Sequence, residues 1–438
     1  MPPRLRAHPP GHRRNPLLRA VATGGVFALL ATACGDGDDG TVELRFSWWG
    51  SDSRHAALQE VIENFEADNP GISVTGDYTD WANYWDRLAT NTAADDSPDI
   101  IMQDDAYLRE YGDRGALADL GELDTVDLTD LDPLVAESGD TDDGTIGAVG
   151  GVNAMTIVAD PQAFEEAGVE MPDDENWTWE EYAETAAEIT EATDGEVYGT
   201  QSPANENVFQ VYARQHGENL FDEDGDTAYS DTTLTSWYEF NERLVDEGVQ
   251  PSASRSVELT AAGPEQSLVG LNEGAMAFFW SNQLVAIEAA AGRDLELLRM
   301  PGETEHERTG LFYKPGIYYS VAAGSDHPEE AGQFVDHLLN DPAAAEVTQG
   351  EMGIPPNLEV RDTIADDLGE ADTKAAEFID AIEDSVIDGN PPQPVGAGEV
   401  VDINLRVIEA LGFGDITPDQ ASEQFTSEVQ DATEPSGP

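Results

Sequence analysis

Leu44 and Phe46 alternate with Glu43 and Arg45 in a run that ends on Trp48 and Trp49. Period 2 predicts a strand with one face buried. After a polar turn, Ala57, Leu58, Val61, Ile62 and Phe65 recur at the 3.6-residue spacing of an amphipathic helix. The same alternation continues. A second strand is expected over 72–77 after Asn69-Pro70-Gly71, a helix over 81–91, and a short buried strand over 99–102 after Ser97-Pro98, followed by the segment 108–111. Strand and helix in alternation specify an α/β protein, with a mainly parallel sheet and right-handed crossovers.

Gly139 to Gly144, GDTDDG, breaks this pattern, and the apolar run AVGGVNAMTIVA at 148–159 reads as a crossing into a second lobe. Asp160-Pro161 opens a helix, and Thr178 with Glu181 forms a capping box for another that continues to 193. Helices are expected at 205–216, 231–246 and 265–272, and strands at 275–279 and 317–322. Pro328 and Pro342 start two more helices, and 353–357 is a rigid turn. Helices at 371–385, 399–412 and 417–431 complete the chain, with a frayed tail after Gln430.

The 438 residues allow two medium lobes or one large one, and an apolar content of 39 % is enough for real cores. Charge changes the picture most. There are 90 acidic and 20 basic residues, and five of the basic ones lie in the first 33 positions. Such a surface argues against nucleic acid and anionic membrane as partners, both being polyanions. It suits a solvated carboxylate coat in high salt, which screens self-repulsion.

Cys34 is the single cysteine, which excludes an internal disulfide framework and a cysteine-based metal site. Arg13, Arg14 and Arg19 precede an apolar run over 20–33, and the small residues Ala31, Thr32 and Ala33 lead into Cys34 and Gly35. That is a secretory signal, residues 1–33, too short to span a bilayer comfortably. It resembles the lipobox of bacterial lipoproteins, with Cys34 lipidated and residues 34–40 a flexible tether. The tether matches G-x-G-x-x-G, but it precedes a strand and its aspartates repel a pyrophosphate, so it is no nucleotide motif.

The eight tryptophans carry the most chemical information. Indoles at strand ends suit stacking on the apolar faces of sugar rings. Trp49 and Trp280 end strands and are assigned to a ligand, whereas Trp177, Trp179 and Trp237 are assigned to packing. Trp48, Trp81 and Trp85 are open between the two roles. Asp104, Asp105 and Tyr107 follow the strand at 99–102, where carboxylates suit hydroxyls. Asn153, an amide amid apolar residues, needs a partner, either a ligand or nearby backbone. Arg54 is either a bidentate partner of an acidic ligand or half of an ion pair. Outside the signal there is no H-E-x-x-H and no G-x-S-x-G, and Asp222 to Asp226 lacks the spacing of a calcium loop. No cofactor or metal is expected. A glycoside hydrolase needs only two carboxylates, so composition leaves a secreted polysaccharide-active enzyme open, together with a receptor for a non-sugar solute.

SWWGSDSRHAALQEVIENFE, SPDIIMQDDAYL, GALADL, GVEMPDDENWTWEEYAE, LNEGAMAFFW and YYSVAAGSDHPEEAGQFVDHLLNDPAAAEVTQGEMGIPPN occur in that order. Together they resemble bacterial extracellular solute-binding proteins of the carbohydrate-uptake group, the maltose-binding-protein-like receptors of ABC importers. The resemblance covers residues 41–430. It implies a two-lobe, type II periplasmic-binding-protein-like α/β fold, with lobe I formed by 41–150 and 311–350 and lobe II by 151–310 and 351–438. It further implies a carbohydrate ligand in the interlobe cleft, permease subunits as partners, a monomer, no enzymatic activity, and attachment to the outer face of the cell membrane through the N-terminal lipid alone. Carried over by motif, the ligand residues are Trp49, Arg54, Asp104, Asp105, Asn153, Asn205, Asn207 and Trp280, and Trp81 is counted with them as a ligand-binding candidate. Maltose itself is not implied, and the opening is more similar to receptors for plant-cell-wall oligosaccharides, some of them acidic.

Overall fold

The computed structural model describes residues 41–141, 144–222, 224–390 and 393–434. The signal, Cys34 and the tether lie outside the described residues. Ten strands follow in chain order: β1 (Val42–Trp49), β2 (Ile72–Thr79), β3 (Ile100–Gln103), the short hairpin β4 (Asp140–Thr141) and β5 (Gly144–Thr145), β6 (Ala148–Ala159), β7 (Tyr198–Thr200), β8 (Gly274–Trp280), β9 (Glu296–Leu298) and β10 (Tyr313–Val321). Eight of them form one sheet in the order β2-β1-β3-β10-β6-β8-β7, with β9 also against β6.

The sheet is mixed, which corrects the mainly parallel expectation. β1 runs parallel to β2 and β3, and β7 parallel to β8, but β10 and β6 are antiparallel to all their neighbours. The βαβ alternation specifies only the flanks. The central strands arrive from distant parts of the chain, and local pattern does not encode their direction.

β6 organises the molecule. Its first half, through Ala154, pairs with β10, and from Met155 onward it pairs with β8 and β9. One strand therefore leaves the sheet half that contains β1–β3 and enters the half that contains β7–β9, giving a two-lobed α/β architecture. A further segment bonds to β6 at this level, where Val152 bridges Ile354. Glycine is required there: a Cβ on Gly151 or Gly316 would lie 2.2 or 2.1 Å from the carbonyl oxygen of Met352.

Helix α1 (Asp52–Asp68) begins where Ser51 accepts from the Arg54 N–H, and it buries Leu58, Val61, Ile62 and Phe65. Phe65 meets Phe334 of the helix Pro328–Asn340 edge-on at 5.0 Å. Helices α2 (Trp81–Ala93) and α3 (Asp105–Gly112) are capped by Asp80 and Asp104. The capping boxes at Thr178 and Thr417 are both formed.

The helix expected at 265–272 is absent. Gly263 (φ 90°) and Pro264 reduce it to a single 3-10 turn, Pro264–Gln266, and the helix lies earlier, at Ala253–Ala262. Leu284–Ala291 and Leu358–Ile364 are further helices. The first is too uniformly apolar to show a helical period, and the second is announced only by its Asn357 cap. The last helix reaches Thr433, beyond the expected fraying point.

Candidate ligand-binding site

Trp49 is the last residue of β1 and points toward α2. Its ring centroid lies 5.0 Å from Trp81, 5.2 Å from Tyr84 and 5.5 Å from Trp85. Trp81 and Trp85 are one helical turn apart, so they share a face. Trp85 in turn stacks on Tyr107 of α3, with centroids 3.8 Å apart and planes 13° from parallel. Trp81 is 43 % exposed, whereas Trp49 and Trp85 are buried. The four rings make one continuous aromatic wall at the carboxyl ends of β1 and β3. The Tyr84 hydroxyl fixes those two ends to each other, donating toward Met102 O at 2.6 Å and Ser47 O at 3.2 Å.

Trp48 faces the other way. It is fully buried, donates from Nε1 to His55 Nδ1 at 3.1 Å and stacks on Tyr78 at 5.0 Å. Packing also accounts for Trp177, Trp179 and Trp237, all buried. The first two donate to Arg299 O and Gln215 Oε1.

The polar centre is organised by a residue the sequence reading passed over. Lys314, on β10 opposite Asn153 of β6, places Nζ 3.6 Å from Asp104 Oδ2 and 5.8 Å from the centroid of the Trp280 ring. Burial lowers the pKa of the ammonium, but Asp104, Asp105 and Glu206 outweigh that effect and hold it above its ordinary value. Glu206 opens the helix Glu206–Gln215. Only Lys314 and Lys374 are lysines after the signal, and that scarcity was the available signal for Lys314. It was missed because the strand was expected to begin at 317.

Asp104 caps α3 by accepting from Ala106 N and turns its second oxygen to Lys314. Asp105 is engaged within the protein, accepting from Tyr318 Oη at 3.3 Å and Gln393 Nε2 at 2.9 Å. Burial raises its pKa. Asn205 caps its helix through Oδ1 to Asn207 N, and Asn207 Nδ2 donates to Glu206 Oε1 at 2.6 Å. Asn153 is 4 % exposed and its Oδ1 has no partner, so nearby backbone does not satisfy it.

Arg54 is half of an ion pair. Nη2 donates to Glu351 O at 2.9 Å, Nε lies 3.5 Å from Glu351 Oε1, and Nη1 donates to Trp49 O at 3.4 Å. It lies at one edge of a cavity of about 630 Å³ that Trp49, Asn282, Gln283, Glu351 and Asp372 also line. The expected site residues thus divide. Trp49 and Trp81 share the aromatic wall, while Asp104, Asn153 and Trp280 adjoin Lys314. Asn205 and Asn207 flank Glu206, and Arg54 lies at the cavity beside Trp49. Asp105 alone has both oxygens committed to other side chains.

Some orphaned buried polar atoms lie in this region, and others lie elsewhere among the described residues. Gln103, at the end of β3 beside Asp104, is fully buried with neither amide atom partnered, and Trp85 Nε1 also lacks an acceptor. Buried polar groups are normally satisfied, so these atoms define directions in which a polar ligand gains hydrogen bonds. Among the described residues, no cluster of three or more His, Cys, Asp or Glu is placed to hold a metal ion. No helix among them is long and apolar enough to cross a membrane.

A model of the bacterial extracellular solute-binding protein family matches residues 49–345. This chain belongs to that family. Its relatives include an uncharacterized lipoprotein of Streptomyces antibioticus, 25 % identical over 347 residues that cover 75 % of this chain and 74 % of that protein. The diacetylchitobiose-binding protein DasA of Streptomyces coelicolor is 24 % identical over 366 residues, covering 79 % and 83 %. Among solved structures, the oligogalacturonide-binding protein of Yersinia enterocolitica in complex with saturated digalacturonic acid superposes with a TM-score of 0.77. It is 22 % identical and covers 90 % of this chain and 100 % of that one. The two-lobed architecture of this solute-binding protein is therefore that of its family.

Proposed function

We propose that this solute-binding protein is the sugar or oligosaccharide receptor of an ABC importer. It binds ligand between lobes 41–150 with 311–350 and 151–310 with 351–438, and it presents the closed form to membrane permease subunits. Lipid on Cys34 anchors it as a monomer at the outer face of the cell membrane, and it performs no chemistry on its ligand. One observation carries the reading: the continuous wall of Trp49, Trp81, Trp85 and Tyr107 beside orphaned hydrogen-bonding groups on Gln103, Trp85 and Asn153. Sugar rings need that combination, an apolar face to stack and hydroxyls to pair. The names of relatives that bind diacetylchitobiose and digalacturonic acid support the ligand class, and a lipoprotein relative supports the anchor.

Ligand touching both lobes favours closure because only the closed form makes both sets of contacts. Calorimetry of residues 41–438 against a glycan panel in high salt tests the reading. Saturable heat with at least one glycan is expected. Release of reducing ends during the titration would identify an enzyme instead. For the anchor, radiolabelled palmitate incorporation into the full chain, abolished by Cys34→Ser, is the expected outcome.

A further inference from the structure

A separate cavity lies among the helices Asp231–Asp246, Ala253–Ala262 and Val400–Gly412. None of its lining residues belongs to the site described above. Its volume is about 50 Å³. One water needs roughly 10–15 Å³, so there is room for about three to five heavy atoms. Val245, Leu405, Ile408 and Leu411 give the cavity aliphatic walls.

Two side-chain amides line this cavity with their oxygens unused. Asn241 and Gln250 are 4 % and 5 % exposed, and neither Asn241 Oδ1 nor Gln250 Oε1 has a partner. The nitrogens fix which way each amide is turned. Asn241 Nδ2 donates to Trp237 O at 2.8 Å, and Gln250 Nε2 donates to Asn241 O at 3.4 Å. Turning either amide over would set its oxygen against a carbonyl, which cannot donate. The cavity therefore presents two buried acceptors that call for donors. Water would satisfy the oxygens yet wet the aliphatic walls. A short hydrocarbon chain that carries donors satisfies both.

The charge at the cavity has one sign. The half-buried Glu242 and the exposed Glu409 line it, and among the described residues no lysine, arginine or histidine does. The arginines of the three helices are paired with other carboxylates: Arg243 with Glu180, Arg255 with Glu258 and Glu273, and Arg406 with Glu428.

We propose that this cavity is a second binding site, which takes a small primary alkylammonium. An ammonium has three donors and no acceptor. That matches two amide oxygens and a carboxylate, while the alkyl chain lies against Val245, Leu405 and Ile408. An alcohol offers a single donor, and a carboxylate ligand offers only acceptors. The site stands independently of the sugar-receptor reading.

The test is a ligand-observed NMR titration of the full chain in about 1 M sodium chloride, which screens diffuse attraction of cations to the acidic surface. The probes are n-propylammonium, propan-1-ol, propionate and tetramethylammonium. Propylammonium is expected to bind saturably and at least about fivefold more tightly than propanol, because hydrogen bonds from a charged donor are the stronger. Propionate is expected not to bind, nor is tetramethylammonium, which has the charge without N–H donors. Gln250→Met and Asn241→Leu, each shown to be folded by circular dichroism, should weaken propylammonium binding by at least about fivefold. Gln250 lies outside the helices, so its variant answers the question even if Asn241→Leu fails to fold. Equal binding of propylammonium and tetramethylammonium, or binding that the variants leave unmoved, places the cation on the general acidic surface and overturns the site. Binding of no probe means that water alone fills the cavity, and overturns it as well.

Discussion

Lys314 Nζ lies 3.6 Å from Asp104 Oδ2, joining the strand β10 to the N-cap of α3. Removing one partner of a buried pair leaves the other charge without compensation, which costs about 3–5 kcal/mol. Lys314→Met should therefore lower stability by about that amount, read as a fall in the urea midpoint at unchanged m-value. An unchanged midpoint would show that solvent already compensates Asp104.

The paired indoles of β1 separate stability from binding. Trp48 is enclosed by Phe46, Tyr78 and His55, and Trp48→Ala should destabilise by about 3–5 kcal/mol, leaving the affinity of the folded fraction intact. A ligand dissociation constant that moves with Trp48→Ala would place that ring in the cleft.

Trp280 stands under Lys314 and edge-on to Phe312 at 6.3 Å. Losing one stacking platform of this kind should weaken glycan binding by at least about tenfold. Trp280→Ala should keep the far-ultraviolet spectrum and most of the thermal stability. Unchanged affinity would mean that the ligand lies elsewhere.

Much of this is legible in the sequence. Period 2 to Trp49 and period 3.6 over Leu58, Val61, Ile62 and Phe65 gave β1 and α1, because each element has one buried face and covers it locally. The apolar run with Asn153 gave β6 with both its ends. What pattern did not carry was pairing. The direction of β10, and so the arrival of Lys314 beside Asn153 and Asp104, depends on residues more than 150 positions apart. The fate of Arg54 was likewise undecidable from sequence, since its partner Glu351 lies 297 positions away. Trp85 was open for a related reason. An indole one turn beyond Trp81 shares its face, but only the position of Tyr107 joins that face to α3.

Glu303 makes stability depend on pH. It is 6 % exposed, and burial outweighs the Arg299 guanidinium, pushing its carboxyl from an ordinary 4.5 to about 7. The folded protein then holds this proton where the unfolded chain has released it. The associated stability is fully present below about pH 4.5 and is lost as pH rises through about 7. Glu303→Gln should flatten that part of the stability profile by on the order of 3 kcal/mol at most. A mutant profile parallel to the parent across pH 4–8 would contradict the assignment.

The acidic surface makes a separate prediction. With a net charge of −70, self-repulsion opposes the compact state at low ionic strength. The melting temperature should rise as sodium chloride increases from 0.1 to about 2 M, most steeply at the low end where the Debye length shortens from about 10 Å. A flat or falling curve would remove screening as the reason for the coat.

The most direct measurement is calorimetric titration of folded residues 41–438 with neutral, amino and uronic oligosaccharides, run in parallel on the Trp280→Ala variant. A sugar receptor gives saturable one-site binding with at least one glycan, a matching rise in melting temperature, no new reducing ends, and loss of that binding in Trp280→Ala. No heat and no thermal shift with any glycan, from protein shown to be folded by circular dichroism, would contradict the assignment of this cleft to sugars.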